Sequence, residues 1–237
     1  MLNVRQLSAR TTGQSLTDLS FRVETGEILA IIGSEQCGKH LLAQALSGQI
    51  QLKDGVISVN HYRLDAQPIK SRCQLGYLAN PPSLEEFLSG YEYLDIVGAT
   101  YHISPTERQN RIGRLIGELD FAEGAYSVIE RVSPATRQKI ALAAALVHQP
   151  EVLIVEEPTT NLDFDGQSRA IKLLKDEAPS RATVLISDNL SLAEELADRF
   201  LLLENGAVLA EGTMKTLLNQ VGPAVRDLSG IYQTIFR

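Results

Sequence analysis

Apolar residues change their spacing several times along this chain, and each change predicts a different kind of element. Near the N-terminus they alternate with polar ones, through Leu2 to Leu7 and again through Leu19-Ser20-Phe21-Arg22-Val23. That is the period of a strand with one buried face. The Thr25-Gly26 turn leads into Ile28-Leu29-Ala30-Ile31-Ile32, an unbroken apolar run that predicts a strand covered on both sides. Leu41 to Leu46 continues as an apolar helix, and Val56-Ile57-Ser58-Val59 follows the Asp54-Gly55 turn as another strand. From about Pro82 to Val147 the spacing turns helical, over Leu84 to Tyr101, Ile112 to Leu119 and Ile140 to Val147. After Pro150 strands and helices alternate: Val152 to Val155, Gln167 to Glu177, Thr183 to Ile186, Leu192 to Ala197 and Phe200 to Leu203. The Glu204-Asn205-Gly206 turn then introduces Val208 to Ala210, and the tail from Thr213 predicts two helices broken near Gly222-Pro223. Such alternation predicts an α/β fold with a parallel sheet covered by helices, and ligands at the carboxyl ends of its strands.

The 237 residues are enough for a sizeable core. The pattern predicts one domain: a core from 1–79 and 147–212, a helical insertion over about 80–146, and a C-terminal helical tail over 213–237. With 44% hydrophobic and 22% charged residues the composition is that of an ordinary globular protein, and the apolar runs are far short of a membrane span. The N-terminus alternates like a strand and has no apolar signal core, which predicts a cytoplasmic location. Two cysteines, Cys37 and Cys73, argue against a disulfide framework. A net charge of −7 without a basic cluster excludes nucleic acid as the main partner, and the four histidines show no metal-ligand spacing.

Between the apolar strand and the apolar helix lies Gly33-Ser34-Glu35-Gln36-Cys37-Gly38-Lys39-His40. A glycine-rich loop joining a strand to a helix N-terminus is built to wrap phosphate oxygens with its backbone N–H groups. Gly33 and Gly38 permit the turn and the close approach, and Lys39 reaches the terminal phosphates. The last position ordinarily carries a hydroxyl that holds Mg²⁺, and here it is His40. The thiol of Cys37, beside a helix N-terminus, is either a small loop filler or an activated nucleophile of lowered pKa.

The run Pro150 to Asp163 places Glu156 and Glu157 side by side at the end of a buried strand. Charge there is costly unless a cation or polar ligand is near. Glu156 is then a candidate neighbour of a Mg²⁺ ion and Glu157 a candidate for polarising water toward a terminal phosphate, set against two glutamates simply solvated at a strand end.

Taken in order, these segments resemble the ATP-binding subunit of an ABC transporter. The resemblance rests on G-S-E-Q-C-G-K-H as Walker A, L-G-Y-L-A-N as the Q-loop, V-S-P-A-T-R-Q as the signature, V-L-I-V-E-E-P as Walker B, N-L-D as the D-loop, T-V-L-I-S-D-N as the switch region and E-N-G-A-V-L-A-E-G-T after it. It implies a P-loop NTPase fold of ABC type, with a mixed sheet core, an antiparallel β subdomain and a helical insertion. It also implies ATP and Mg²⁺ as ligands, and nucleotide contacts from Gly33 to Leu41. Asn80 falls at the Q-loop position, Ser133, Pro134, Ala135 and Thr136 at the signature, Glu156 and Glu157 at Walker B, Asp163 in the D-loop and Asn189 at the switch. Its partners would be an integral membrane transporter subunit and a second ABC ATPase subunit, as homodimer or heterodimer, with the chain peripheral on the inner face of the cell membrane.

At those positions the residue types depart from the family's. Gln36 replaces a glycine, and His40 and Leu41 replace hydroxyls. Mg²⁺ requires oxygen ligands, so imidazole is a poor substitute and leucine is none; His40 reads better as a space-filling or hydrogen-bonding replacement. Glu35 adds negative charge beside phosphates, and Thr11 and Thr12 stand where an aromatic would stack on adenine. Asn80 shortens the Q-loop amide, Glu156 lengthens the Walker B carboxylate, and Asn189 cannot carry a proton. Ser133 and Pro134 start a helix well, but Pro134 removes an N–H donor and Ala135 adds a Cβ where the family clamps a phosphate. Three readings follow: an ATPase that uses Glu157, a pseudo-ATPase that keeps the fold and works as a structural or regulatory partner, and, ranked third, a soluble, non-transport ABC protein. Leu84, Phe87 and Leu88 are expected to be mostly core, with any exposed members forming a groove for the membrane subunit.

Overall fold

Two long antiparallel strands, β1 (Leu2–Thr11) and β2 (Gln14–Val23), open the chain in the computed structural model, which describes residues 1–223 and 225–236. With β4 (Asp54–Val59) and the short β5 (Tyr62–Arg63) they form a four-stranded antiparallel sheet in the order β2-β1-β4-β5. The second sheet has six strands. It is built on β3 (Ile28–Gly33), β6 (Leu75–Leu78), β7 (Val152–Glu156), β8 (Ala182–Ile186), β9 (Arg199–Glu204) and β10 (Ala207–Gly212), in the order β10-β9-β3-β8-β7-β6. Its pairs are parallel except β9 with β10, which are joined by the tight Asn205-Gly206 turn. The mixed sheet core and the antiparallel sheet expected from the sequence are both present.

The unbroken apolar run of β3 divides its side chains between two cores. Leu29 and Ile31 face α1 (Lys39–Leu46) and the antiparallel sheet, packed with Leu41, Leu42 and Leu46. Ile28, Ala30 and Ile32 face the other side. There they meet residues of α3 (Gly90–Thr100), α4 (Pro105–Leu119), α6 (Pro134–Leu146), α7 (Phe164–Glu177) and α8 (Leu190–Leu196), and the tail helices α9 (Met214–Val221) and α10 (Leu228–Ile235). Two short helices, α2 (Pro68–Arg72) and α5 (Ala122–Ala125), and two single 3₁₀ turns, Ile129–Arg131 and Ala178–Ser180, complete the described elements. A leucine or isoleucine moved fully out of water contributes about 1.5–3 kcal/mol, so β3 anchors both layers at once.

Two expectations for the helical stretch need correction. No helix runs from Leu84; α3 begins at Gly90, where Ser89 caps the Glu92 N–H and the Glu92 carboxylate reaches back to the Ser89 N–H. Residues before this capping box lie in loop, and Phe87 is 87% exposed rather than core, while Leu84 packs partly buried against the helical layer. In the other direction, α4 starts at Pro105 behind the Ser104 cap, well ahead of its first apolar residue Ile112. Among the described residues no helix is long and apolar enough to cross a membrane.

Candidate functional site

The carboxyl end of β3 turns at once into the loop that leads to α1. Gly33 has no room for a side chain, since a Cβ there would collide with the Leu203 carbonyl and the Cys37 sulfur. Gly38 takes φ +97°, a left-handed conformation that favours glycine. Between them the Cys37 N–H donates to the Ser34 carbonyl at 3.1 Å, and the Cys37 carbonyl accepts from the Gly206 N–H at 2.9 Å. Among the described residues the N–H groups of Gly38, His40 and Leu41 have no acceptor, which leaves them free to meet an anion at the start of α1, while the Lys39 N–H is turned toward the Cys37 thiol. Glu35 and Gln36 are exposed at the loop tip, and Ser34 Oγ donates to Glu204 at 3.0 Å.

Two side chains of the loop face inward. Leu41 is 1% exposed and belongs to the core around α1, so its only offer to a ligand is its backbone N–H. Cys37 is likewise 1% exposed, and burial pushes its thiol pKa up. Of the two readings of Cys37 this favours the small loop filler over the activated nucleophile: loss of hydration outweighs the pull of the helix end and of Lys39.

At the end of β7, Glu156 is 4% exposed and has partners for both oxygens. His40 Nδ1 lies 2.8 Å from Oε2, and the Tyr77 hydroxyl donates to Oε1. Gln44 Nε2 is 3.1 Å from the other ring nitrogen of His40, one helical turn on. Burial together with the Glu156 carboxylate drives the Tyr77 phenol far above its ordinary pKa, so it remains a donor. His40 is therefore the hydrogen-bonding replacement read from the sequence.

Glu157 adopts φ +44°, uncommon for a residue with a side chain. Its carboxylate accepts from Ser187 Oγ at 2.9 Å and from the Asp188 N–H, while burial pushes its pKa up. Its carbonyl accepts from Gln138 Nε2 at 3.1 Å, and Gln138, 1% exposed, lies in α6 behind Ser133. Lys39 stretches back over the loop. Its ammonium donates to the carbonyls of Gly33 (3.2 Å) and Ser34 (3.1 Å) and pairs with Asp188 Oδ1 at 2.6 Å.

The structure thus gathers the loop, Glu156 and Glu157 into one place, and it brings Asp188 to them as well. Asn189 caps α8, its Oδ1 accepting from the Leu192 N–H at 3.1 Å, and Asp188 instead faces Lys39 and Glu157. Ser133 caps α6 by accepting from the Thr136 N–H at 3.1 Å, with Pro134 in the first turn. Asp163 caps α7 by accepting from Gly166. Among the described residues no hydrogen bond or ion pair joins Asn80, Ser133, Pro134, Ala135, Thr136 or Asp163 to the phosphate loop. Tyr77, Gln138, Ser187 and Asp188 escaped the sequence reading. Asp188 had a signal in the sequence, a carboxylate directly beyond a buried strand, whereas Tyr77 and Gln138 look like ordinary strand and helix residues.

The model of the ABC transporter family matches residues 16–160, which span the loop and both carboxylates. The chain belongs to the ABC transporter family. Among its ABC relatives is the daunorubicin resistance ATP-binding protein DrrA3 of Streptomyces coeruleorubidus, 30% identical over 210 residues. That match covers 88% of this chain and 66% of the relative, so the chain spans just under two thirds of its length. The ABC-type transporter ATP-binding protein EcsA of Bacillus subtilis is 27% identical over 234 residues, covering 98% of this chain and 95% of EcsA. The solved ATP-binding subunit of an ABC transporter superposes over the full length of both chains with a TM-score of 0.94 at 29% identity. The ADP- and phosphate-bound dimer of the cassette MJ0796 shares the fold, with a TM-score of 0.80 at 18% identity over 90% of this chain and 99% of that one.

ABC cassettes generally bind ATP with Mg²⁺, and the donors present here do not suit that ion. It favours octahedral oxygen ligands. Both oxygens of Glu156 already serve His40 and Tyr77, the position at the start of α1 offers an imidazole, and the next side chain is buried leucine. Among the described residues no group of three or more His, Cys, Asp or Glu side chains is placed to hold a metal ion.

Proposed function

We propose that this chain is a nucleotide-binding subunit of an ABC transporter that binds nucleotide with little or no hydrolysis, acting on its membrane partner as a regulatory or structural subunit. The observation that carries this reading is the His40–Glu156 contact at 2.8 Å, which occupies the carboxylate where a metal would be needed. Free N–H groups at the start of α1 and the adjacent Lys39 support retained phosphate binding. Ser133, Pro134, Ala135 and Thr136 lie at the N-terminus of α6, where the family presents its signature to a second cassette; the cap is sound, but the proline and the extra Cβ weaken a phosphate clamp. A dimer, with itself or with another cassette, then has impaired composite sites on both faces. The exposed Phe87 and Tyr126 beside the helical layer support docking of an integral membrane subunit, with the chain peripheral on the cytoplasmic face.

The test is turnover of Mg-ATP by the purified protein. Wild type and Glu157→Gln are expected to give the same background rate, and His40→Ser alone to leave it unchanged because the other altered positions remain. Wild-type turnover that Glu157→Gln abolishes overturns the non-hydrolysing reading and restores the ordinary ATPase; robust turnover from His40→Ser overturns the expectation that the other altered positions also block hydrolysis.

A further inference from the structure

Asp188 stands where the chemistry of a phosphate loop leaves no reason for an acid. Its Oδ1 lies 2.6 Å from Lys39 Nζ, and its own N–H donates to Glu157. In loops of this kind the lysine reaches the β- and γ-phosphates, and the glutamate polarises water for attack on the terminal one. Asp188 touches both groups, its backbone N–H on the glutamate and its carboxylate on the lysine, and so holds the cation that a third phosphate would need.

The donors of Lys39 are all in use. An ammonium has three protons, and these are directed to Asp188 and to the carbonyls of Gly33 and Ser34. The lysine side chain is 11% exposed and the aspartate side chain 60% exposed, so the pair lies at the mouth of the site with the cation inside. A third phosphate must displace Asp188 from Lys39 and then sit beside its freed charge, with the Glu157 carboxylate close behind. The N–H groups of Gly38, His40 and Leu41, which suit the phosphates nearer the nucleoside, are not engaged by any of these acids.

We propose that Asp188 is a specificity-determining residue that makes this loop select a nucleoside diphosphate over a triphosphate. The inference rests on the nucleotide-binding reading above and adds the number of phosphates to it.

The experiment is calorimetric titration of the purified full chain with ADP and with ATP, in a chelator at matched ionic strength, for wild type, Asp188→Asn and Asp188→Ala. Wild type is expected to bind ADP about tenfold or more tightly than ATP, the size of a single charge-assisted hydrogen bond. Both variants are expected to raise ATP affinity by about tenfold and ADP affinity, whose β-phosphate also meets Lys39, by clearly less. Wild-type binding of ATP as tight as that of ADP overturns the inference, as does an equal rise for both nucleotides in the variants. Those outcomes leave the nucleotide-binding reading standing. Failure of wild type and variants alike to bind either nucleotide removes the inference and that reading together.

Discussion

Glu156 shows what the sequence discloses of a single residue and what it withholds. Its place at the end of a buried strand was plain from V-L-I-V-E-E, and so was the need for a partner. Which partner was not plain, because Tyr77 and His40 reach it through folding: β6 lies beside β7 with Tyr77 opposite Ile154, two residues before the glutamate, and His40 arrives on α1. The same limit applies to Asn189 and Asp188, adjacent in sequence but assigned opposite duties by the start of α8. Removing the phenol hydroxyl in Tyr77→Phe leaves one buried oxygen of Glu156 without its donor. Stability is expected to fall by about 1–3 kcal/mol, and Tm by about 2–4 °C for each kcal/mol in a chain of this size. Thermal and urea unfolding of the variant measure it, and unchanged midpoints would show that the contact contributes nothing net.

Helix boundaries were legible where capping chemistry announced them. Ser133 and Pro134 mark the start of α6 correctly, and Gly222-Pro223 separates the two tail helices. The start of α3 was missed because apolar spacing through Leu84, Phe87 and Leu88 mimicked a helical stripe, although Ser89 and Glu92 already spelled out the capping box. Beyond the other end of α6, His148 ties the helix to the sheet. Its Nε2 lies 2.9 Å from the Leu75 carbonyl, and its ring stacks on Tyr101 at a centroid distance of 3.8 Å. Burial lowers its pKa to about 4 in the folded protein, below the ordinary histidine value of about 6.5. The unfolded chain therefore takes up this proton first as the solution is acidified. The contribution of the neutral ring is fully present above about pH 6.5 and is lost as pH falls toward 4, amounting to about 2–3 kcal/mol at most. Urea midpoints at pH 7.5 and 4.5 should fall more steeply for wild type than for His148→Gln; parallel decline would clear His148 of any part in the acid sensitivity.

At the scale of the whole molecule, the alternation of strands and helices after Pro150 was enough to read the parallel sheet, whereas the antiparallel sheet came only with the resemblance to the ABC family. What the sequence could not supply is the way the two sheets and the helical layer bring their surfaces together. Phe87, 87% exposed, and Tyr126, 71% exposed and stacked on Tyr91, belong to a face that an apolar partner would cover. In native extracts the full chain is expected to sediment with membranes and to co-purify with an integral membrane subunit, and Phe87→Asp to reduce that recovery severalfold. Recovery of wild type solely as a soluble species would refute the membrane assignment. One small turn joins the layers that carry the site. The turn glycine Gly206, at φ +76°, presses directly on the backbone of Ser15, accepts from the Thr17 N–H at 2.9 Å and donates to the Cys37 carbonyl at 2.9 Å. Both sheets and the phosphate loop are thus locked together at one backbone position. Residues 40, 156 and 188 form none of these bonds, so the side chains around the phosphate loop can be exchanged while the frame that carries the loop keeps its shape.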